Sequence, residues 1–260
     1  MADQNKISHK NKNSSDEIKF TWFHHLANTV MRGVFQILLI LDMQGLERTP
    51  KTGALIVAIN HTNFMDPAMG SVFLRPDVLP MAKVELFKLP FSLIFNGYGA
   101  FPVRRGEGDL AALKHALKIL KYGHVMLISP EGTRTKSGTL EAAHAGAALI
   151  AVKSGAPILP VAMWGGKKFW GNLFRLRRTA VGVRVGEPLM IAPLSGKPTR
   201  EILDAITNEI MFYIAKLLPP EYRGRYSDVE HMQPRFVLPQ HGTKAELIAN
   251  PQKEVMPLTN

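Results

Sequence analysis

His61 and Asp66, in the stretch Asn60-His61-Thr62-Asn63-Phe64-Met65-Asp66-Pro67, are residue types that together form a general base and the carboxylate that orients it. An imidazole titrates near neutrality. An acid that accepts one ring N–H fixes its tautomer and stabilises the imidazolium formed when the other nitrogen takes a proton. Such a pair can deprotonate an alcohol. On a regular helix a five-residue step turns through about 500°, leaving the two side chains roughly 140° apart, so the pair needs a turn between its members. The flanking residues predict one: the apolar run Ala54-Leu55-Ile56-Val57-Ala58-Ile59 reads as a buried strand, and Asp66-Pro67 as the N-cap and first position of a helix. None of the other eight histidines has an aspartate five residues on.

Three later segments accompany this one: Gly99-Ala100-Phe101-Pro102-Val103-Arg104-Arg105, then Ser129-Pro130-Glu131-Gly132-Thr133-Arg134, then Ala156-Pro157-Ile158-Leu159-Pro160-Val161. In order and spacing the set resembles the four motifs of the glycerolipid acyltransferases, the 1-acylglycerol-3-phosphate (lysophosphatidic acid) acyltransferase family, over residues 42–218. The resemblance implies direct transfer of an acyl group from acyl-CoA or acyl carrier protein to a lipid hydroxyl, with no cofactor and no acyl-enzyme. It implies His61 as the base and Asp66 as its orienting acid. It also implies Arg104 and Lys83 as cations for the acceptor phosphate, Glu131 and Arg134 as acceptor-binding residues, close backbone approach at Gly132, and local loop bonding by Thr133. Arg105 would point away from Arg104 along an extended strand. Ser129 stands where the family often has Phe, a lining position. Pro157 and Pro160 are expected to shape a strand edge and the acyl pocket, or to serve a purely structural role.

The same base and phosphate grip would serve another lysophospholipid or glycerol 3-phosphate as acceptor. A non-catalytic lipid-binding protein of the same fold would need neither base nor orienting acid. The chain has no cysteine, so neither a thiol nucleophile nor a thiolate metal site is available. Nothing matches a Gly-x-Ser-x-Gly nucleophile elbow or His-Glu-x-x-His metal spacing, and no metal is expected.

The elements that must position these residues are legible in outline. Strand patterns at 55–59, 125–129, 158–164 and 181–185 alternate with helical ones, which predicts an α/β fold with a largely parallel central sheet and helices on both faces. The run Val78-Leu79-Pro80-Met81 is demoted by its proline, and Ala100–Val103 is a possible short strand. Asp109 predicts the cap of a helix striped by Leu110, Leu113, Leu117 and Leu120, and Ile202, Ile206, Ile210, Ile214 and Leu217 predict another that ends at Pro219-Pro220. In a parallel sheet, loops at the carboxyl ends of strands open into the functional crevice, so His61, Arg104 and Glu131 are expected to meet there.

The flanks read differently. Residues 1–20 are a polar tail expected to be disordered. Residues 21–41 predict an amphipathic, membrane-associating helix that precedes the sheet; its apolar run, interrupted by Arg32 and ended by Asp42, is too short to span a bilayer. Residues 42–218 form the acyltransferase domain of the resemblance, and 219–260 an irregular C-terminal tail. A formal charge of +11 points to nucleic acid or an anionic phospholipid surface. No nucleic-acid-binding motif is present, which favours lipid. A second candidate membrane surface is Lys167–Arg178, with five basic residues, three aromatics and no acid. The expectation is peripheral attachment to the cytoplasmic face of a membrane.

Overall fold

The computed structural model describes residues 22–75, 77–88, 91–104 and 109–240; the polar tail at 1–20, Arg105 and residues 241–260 lie outside them. The five residues of β2 (Leu55–Ile59) are all buried, because helices cover both faces of the sheet and neither side chain direction meets water. Leu55, Val57 and Ile59 join one core with β5 (Val125–Ile128), β6 (Ile158–Trp164) and the helices α1 (Trp22–Leu38) and α2 (Asp66–Phe73). Ile56 and Ala58 join a second core with α4 (Leu110–Lys121), α5 (Gly146–Ser154) and α7 (Arg200–Leu217). The period of two along one strand thus builds two cores.

Among the described residues the sheet has nine strands. Its main path runs β1 (Leu39–Gln44), β7 (Thr179–Val185), β6, β2, β5, β3 (Val78–Lys83) and β4 (Phe101–Val103), with β8 (Leu189–Ile191) on β6 and β9 (Val237–Pro239) on β8. Strands β6, β2, β5, β3 and β4 are mutually parallel, whereas β7 runs against β6. The fold is the expected α/β one, with an amphipathic helix before the sheet.

Four elements differ from the sequence reading. The first helix ends at Leu38, not at 41: Leu39–Gln44 pairs in parallel with β7, and the Arg178 guanidinium donates to the carbonyls of Gln36, at 2.8 Å, and Leu39, closing the helix end. The proline-containing segment 78–81 is a full strand. It pairs with β5 through Pro80 and with β4 from Met81 onward, so the proline, which has no N–H, sits where the ladder changes partner. In α4, Asp109 caps as expected, accepting from the Ala111 and Ala112 amides at 3.0 Å, but the buried stripe is Ala112, Ala116, Ile119 and Leu120 while Leu110 is exposed. Finally, residues 219–240 are not an irregular tail. Both carboxylate oxygens of Glu209 on α7 accept from the backbone, from Arg235 at 3.0 Å, Phe236 at 2.9 Å and Val237 at 2.8 Å, and hold β9 against β8.

Helix α1 turns polar side chains inward. His24 donates through Nδ1 to the Tyr98 carbonyl of α3 (Phe91–Tyr98) at 2.6 Å, and Tyr98 donates to Asn28 Oδ1 at 2.6 Å. With Phe35 also buried, this anchors one face. Trp22, Leu26, Val30, Val34 and Ile37, spaced four, four, four and three residues apart, form the opposite stripe and are exposed. No described helix is long and apolar enough to cross a membrane.

Candidate active site

His61 lies two residues past the end of β2, in a turn that carries the chain into α2. The turn brings its ring to Asp66: Nδ1 is 3.5 Å from Oδ2, and both residues are buried. That separation exceeds a normal N–H···O bond, and Nδ1 has no hydrogen-bond partner among the described residues. Nδ1 is thus buried against the Asp66 carboxylate.

Asp66 is not the N-cap of its own helix. It is the first helical residue, following Met65, and its carboxylate reaches backward. Oδ2 accepts from the amides of Thr62 at 2.7 Å and Asn63 at 2.6 Å. These bonds close the turn, so one oxygen both shapes the loop and faces the imidazole.

The backbone of His61 is held from both sides by the segment after β5. Its N–H donates to Glu131 Oε1 at 2.9 Å, and its carbonyl accepts from the Thr135 amide at 2.9 Å. The second Glu131 oxygen accepts from the Glu141 amide at 3.1 Å. Burial pushes the Glu131 carboxyl up to about 7, against these two backbone bonds, which favour the ionised form. This corrects the acceptor-binding role expected for Glu131. At 2% exposure each of its oxygens accepts from a backbone donor, one of them the His61 N–H, so its carboxylate faces the backbone of the turn.

Gly132 makes the clamp possible. Its φ of +68° turns the chain back after Glu131, and a Cβ there would meet the His144 ring at 3.0 Å. Thr133 and Arg134 are exposed just beyond. The local loop bonding expected of Thr133 belongs to Thr135, whose hydroxyl accepts from the Gly138 amide at 2.8 Å and contacts Ser137 Oγ at 3.1 Å.

Arg104 and Lys83 stand on neighbouring strands. The strand pairings end at Ala58↔Ile128, Pro80↔Leu127 and Lys83↔Val103, so the segments carrying His61, Glu131 and Arg104 all leave the sheet at the carboxyl ends of parallel strands. Three inter-strand spacings separate β2 from β4, about 14 Å. Arg104 is exposed, with its backbone N–H fixed by Asp109 Oδ2 at 2.9 Å. Lys83 ends β3, half exposed, and its ammonium is engaged by Glu85 at 3.0 Å. That partner holds the Glu85 carboxyl below its usual range and reduces the free charge Lys83 can present.

Two asparagines complete the site and were missed by sequence reasoning. Asn60, 1% exposed, donates through Nδ2 to the Met163 carbonyl and accepts from the Met163 amide, both at 2.8 Å. Asn63 donates to the Gly166 carbonyl at 2.5 Å. The available signal was an amide side chain directly after a wholly apolar strand, where a buried amide must satisfy donor and acceptor together. Beside this turn lies an apolar groove of about 340 Å³ lined by α1, by Phe64 and Met65 of the turn, by Ala68 of α2, and by Phe169, Trp170 and Leu173.

His61 and Asp66 thus face each other on a loop at the carboxyl end of a parallel sheet, beside an apolar groove. The model of the family described as Acyltransferase matches residues 40–164. A 1-acyl-sn-glycerol-3-phosphate acyltransferase of Bacillus subtilis is 31% identical over 173 residues, covering 66% of this chain and 84% of that protein. One from Borreliella burgdorferi is 29% identical over 195 residues, 72% of this chain and 78% of that one. The fold is shared with the crystal structure of the 1-acyl-sn-glycerophosphate (LPA) acyltransferase from Thermotoga maritima, at a TM-score of 0.58 and 24% identity over 82% of this chain and 81% of that chain. The chain belongs to the 1-acylglycerol-3-phosphate acyltransferase family of the glycerolipid acyltransferases.

Proposed function

We propose that this enzyme moves a fatty acyl group from acyl-CoA or acyl carrier protein to the free hydroxyl of 1-acylglycerol 3-phosphate, giving phosphatidic acid. The reading is carried by the His61 ring, whose Nδ1 faces Asp66 while its backbone is clamped to the Glu131–Thr135 loop. Nε2 takes the hydroxyl proton as the acceptor oxygen attacks the thioester carbonyl. The new C–O bond forms, the C–S bond breaks, and the imidazolium returns its proton to the departing sulfur. Asp66 stabilises the imidazolium throughout.

Arg104, exposed just past the end of the edge strand β4, binds the acceptor phosphate, with Arg134 on the loop after β5 and Lys83 as a partly neutralised second cation. A guanidinium matches a phosphate through two parallel bonds. The apolar groove next to Phe64 and Met65 receives an acyl chain. The outward stripe of α1 attaches the enzyme peripherally to the cytoplasmic face of a membrane, its apolar side chains in the leaflet.

A panel of lysophospholipids and glycerol 3-phosphate, each supplied with acyl-CoA and acyl carrier protein donors, tests the assignment through release of the free thiol. Release is expected with 1-acylglycerol 3-phosphate; release only with a different acceptor would replace that substrate, and none with any acceptor would leave a lipid-binding protein. In the same assay Arg104→Ala is expected to raise the acceptor KM about 10-fold or more, for the loss of charge-assisted bonds worth about 1.5–3 kcal/mol, with a smaller change in kcat. Unchanged kinetics would remove Arg104 from the phosphate site.

A further inference from the structure

Beyond the first helix, one surface segment combines exposure, charge and backbone strain. After α6 (Phe169–Phe174) the chain closes with a two-bond helix terminus: Arg177 donates to the Asn172 carbonyl at 2.8 Å and Leu176 to that of Leu173 at 3.0 Å. The residue at the left-handed position of such a terminus is ordinarily glycine. Here it is Leu176, with φ +52°, the one non-glycine residue of positive φ among the described residues. It is 94% exposed and flanked by Arg175 and Arg177. A leucine at this strained position and 94% exposed adds little to the core. Phe174 is 83% and Trp170 55% exposed alongside it, and Lys167 and Lys168 are exposed at the segment's other end.

We propose that residues 166–178 form a finger that inserts into the anionic leaflet of a bilayer, with Trp170, Phe174 and Leu176 in the acyl region and Lys167, Lys168, Arg175 and Arg177 on the lipid phosphates. The partner is argued from charge: apolar tips bracketed by four cations, with no acid in the segment, match an interface that is apolar inside and anionic at its surface. The finger is continuous with the membrane face of α1, since Val34 and Trp170 line one groove and Arg178 ties the segment to the end of that helix. It is also joined to the catalytic turn. Phe64 stacks on Trp170 with ring centroids 5.2 Å apart, and Asn63 holds the Gly166 carbonyl at 2.5 Å. Insertion therefore places the His61 turn at the lipid surface. This inference rests on the membrane attachment proposed above.

The test exploits the absence of cysteine. Leu176→Cys carries a single environment-sensitive fluorophore at the tip, and binding is measured to vesicles of phosphatidylcholine with and without phosphatidylglycerol. On anionic vesicles the probe should shift to the blue and be quenched by brominated lipid. Leu176→Gly, which supplies the residue the terminus favours, should melt no lower than the parent yet bind anionic vesicles about 10-fold more weakly. A vesicle-bound protein whose probe stays in water, or a glycine variant that binds like the parent, overturns the finger. Leu26→Ser/Val30→Ser separates the two readings: if this pair releases the enzyme and Leu176→Gly does not, the finger alone fails. A parent chain that ignores all vesicles removes both.

Discussion

Replacing His61 with alanine is expected to lower turnover by about 10²- to 10⁴-fold, the range general base catalysis supplies, while leaving melting temperature and vesicle binding close to those of the parent. The substitution removes a ring that has 8% of its surface exposed and no hydrogen bond through Nδ1 among the described residues, so its loss unpairs little. The bonds that shape the turn run through backbone groups that alanine retains: the residue-61 N–H to Glu131 and its carbonyl from Thr135. Asp66 keeps its bonds to Thr62 and Asn63. Thiol release at fixed donor and acceptor, with thermal unfolding beside it, makes the comparison. Retained turnover would take the base assignment away from His61.

Glu131→Ala should act through the same ring without touching substrate. Removing the carboxylate strands the N–H groups of residues 61 and 141, each at a cost of about 1–3 kcal/mol if left unpaired. A displacement of the base by about an ångström can cost about 10²-fold in rate. Hence kcat is expected to fall about 10²-fold with acceptor KM nearly constant, and Glu131→Gln, which retains one acceptor oxygen, should recover part of it. A residue that bound acceptor would raise KM instead, and that outcome would restore the role suggested by the resemblance. The wild-type protein also carries a pH signature. Burial raises the Glu131 carboxyl from 4.5 to about 7, so the folded state holds this proton more tightly than the unfolded state does. The resulting stability is present in full below about 4.5 and is lost as pH rises towards about 7. Thermal unfolding across that window should show the parent losing stability relative to Glu131→Gln as pH increases.

Much of this site was legible before any coordinates. The run Leu55–Ile59 could only be a strand buried on both faces, Thr199 and the isoleucines after it could only start and stripe a helix, and the spacing of His61 and Asp66 demanded a turn. Each of those inferences needs only the side-chain period and a local cap, which neighbouring residues carry. What was misread depended on distant partners. Leu39–Leu41 have helical neighbours but find strand β7 about 140 residues away. Pro80 is tolerated in a strand because the ladder changes partner beside it. Asn60 and Asn63 had no visible task until Met163 and Gly166 stood opposite them.

Glu131 marks the boundary most clearly. The family resemblance of its motif marked it as a functional residue, and residue types and motif order set the expected chemistry, base, orienting acid and order of the loops. They could not say whether its carboxylate faced a ligand or the backbone. That depends on the parallel pairing of β2 with β5, which brings the loops after them together and buries the carboxylate between the N–H groups of residues 61 and 141. Residue types specify which bonds a side chain is able to make. Packing at long sequence separation selects the partner, because an unpaired buried polar group costs more than the fold can absorb.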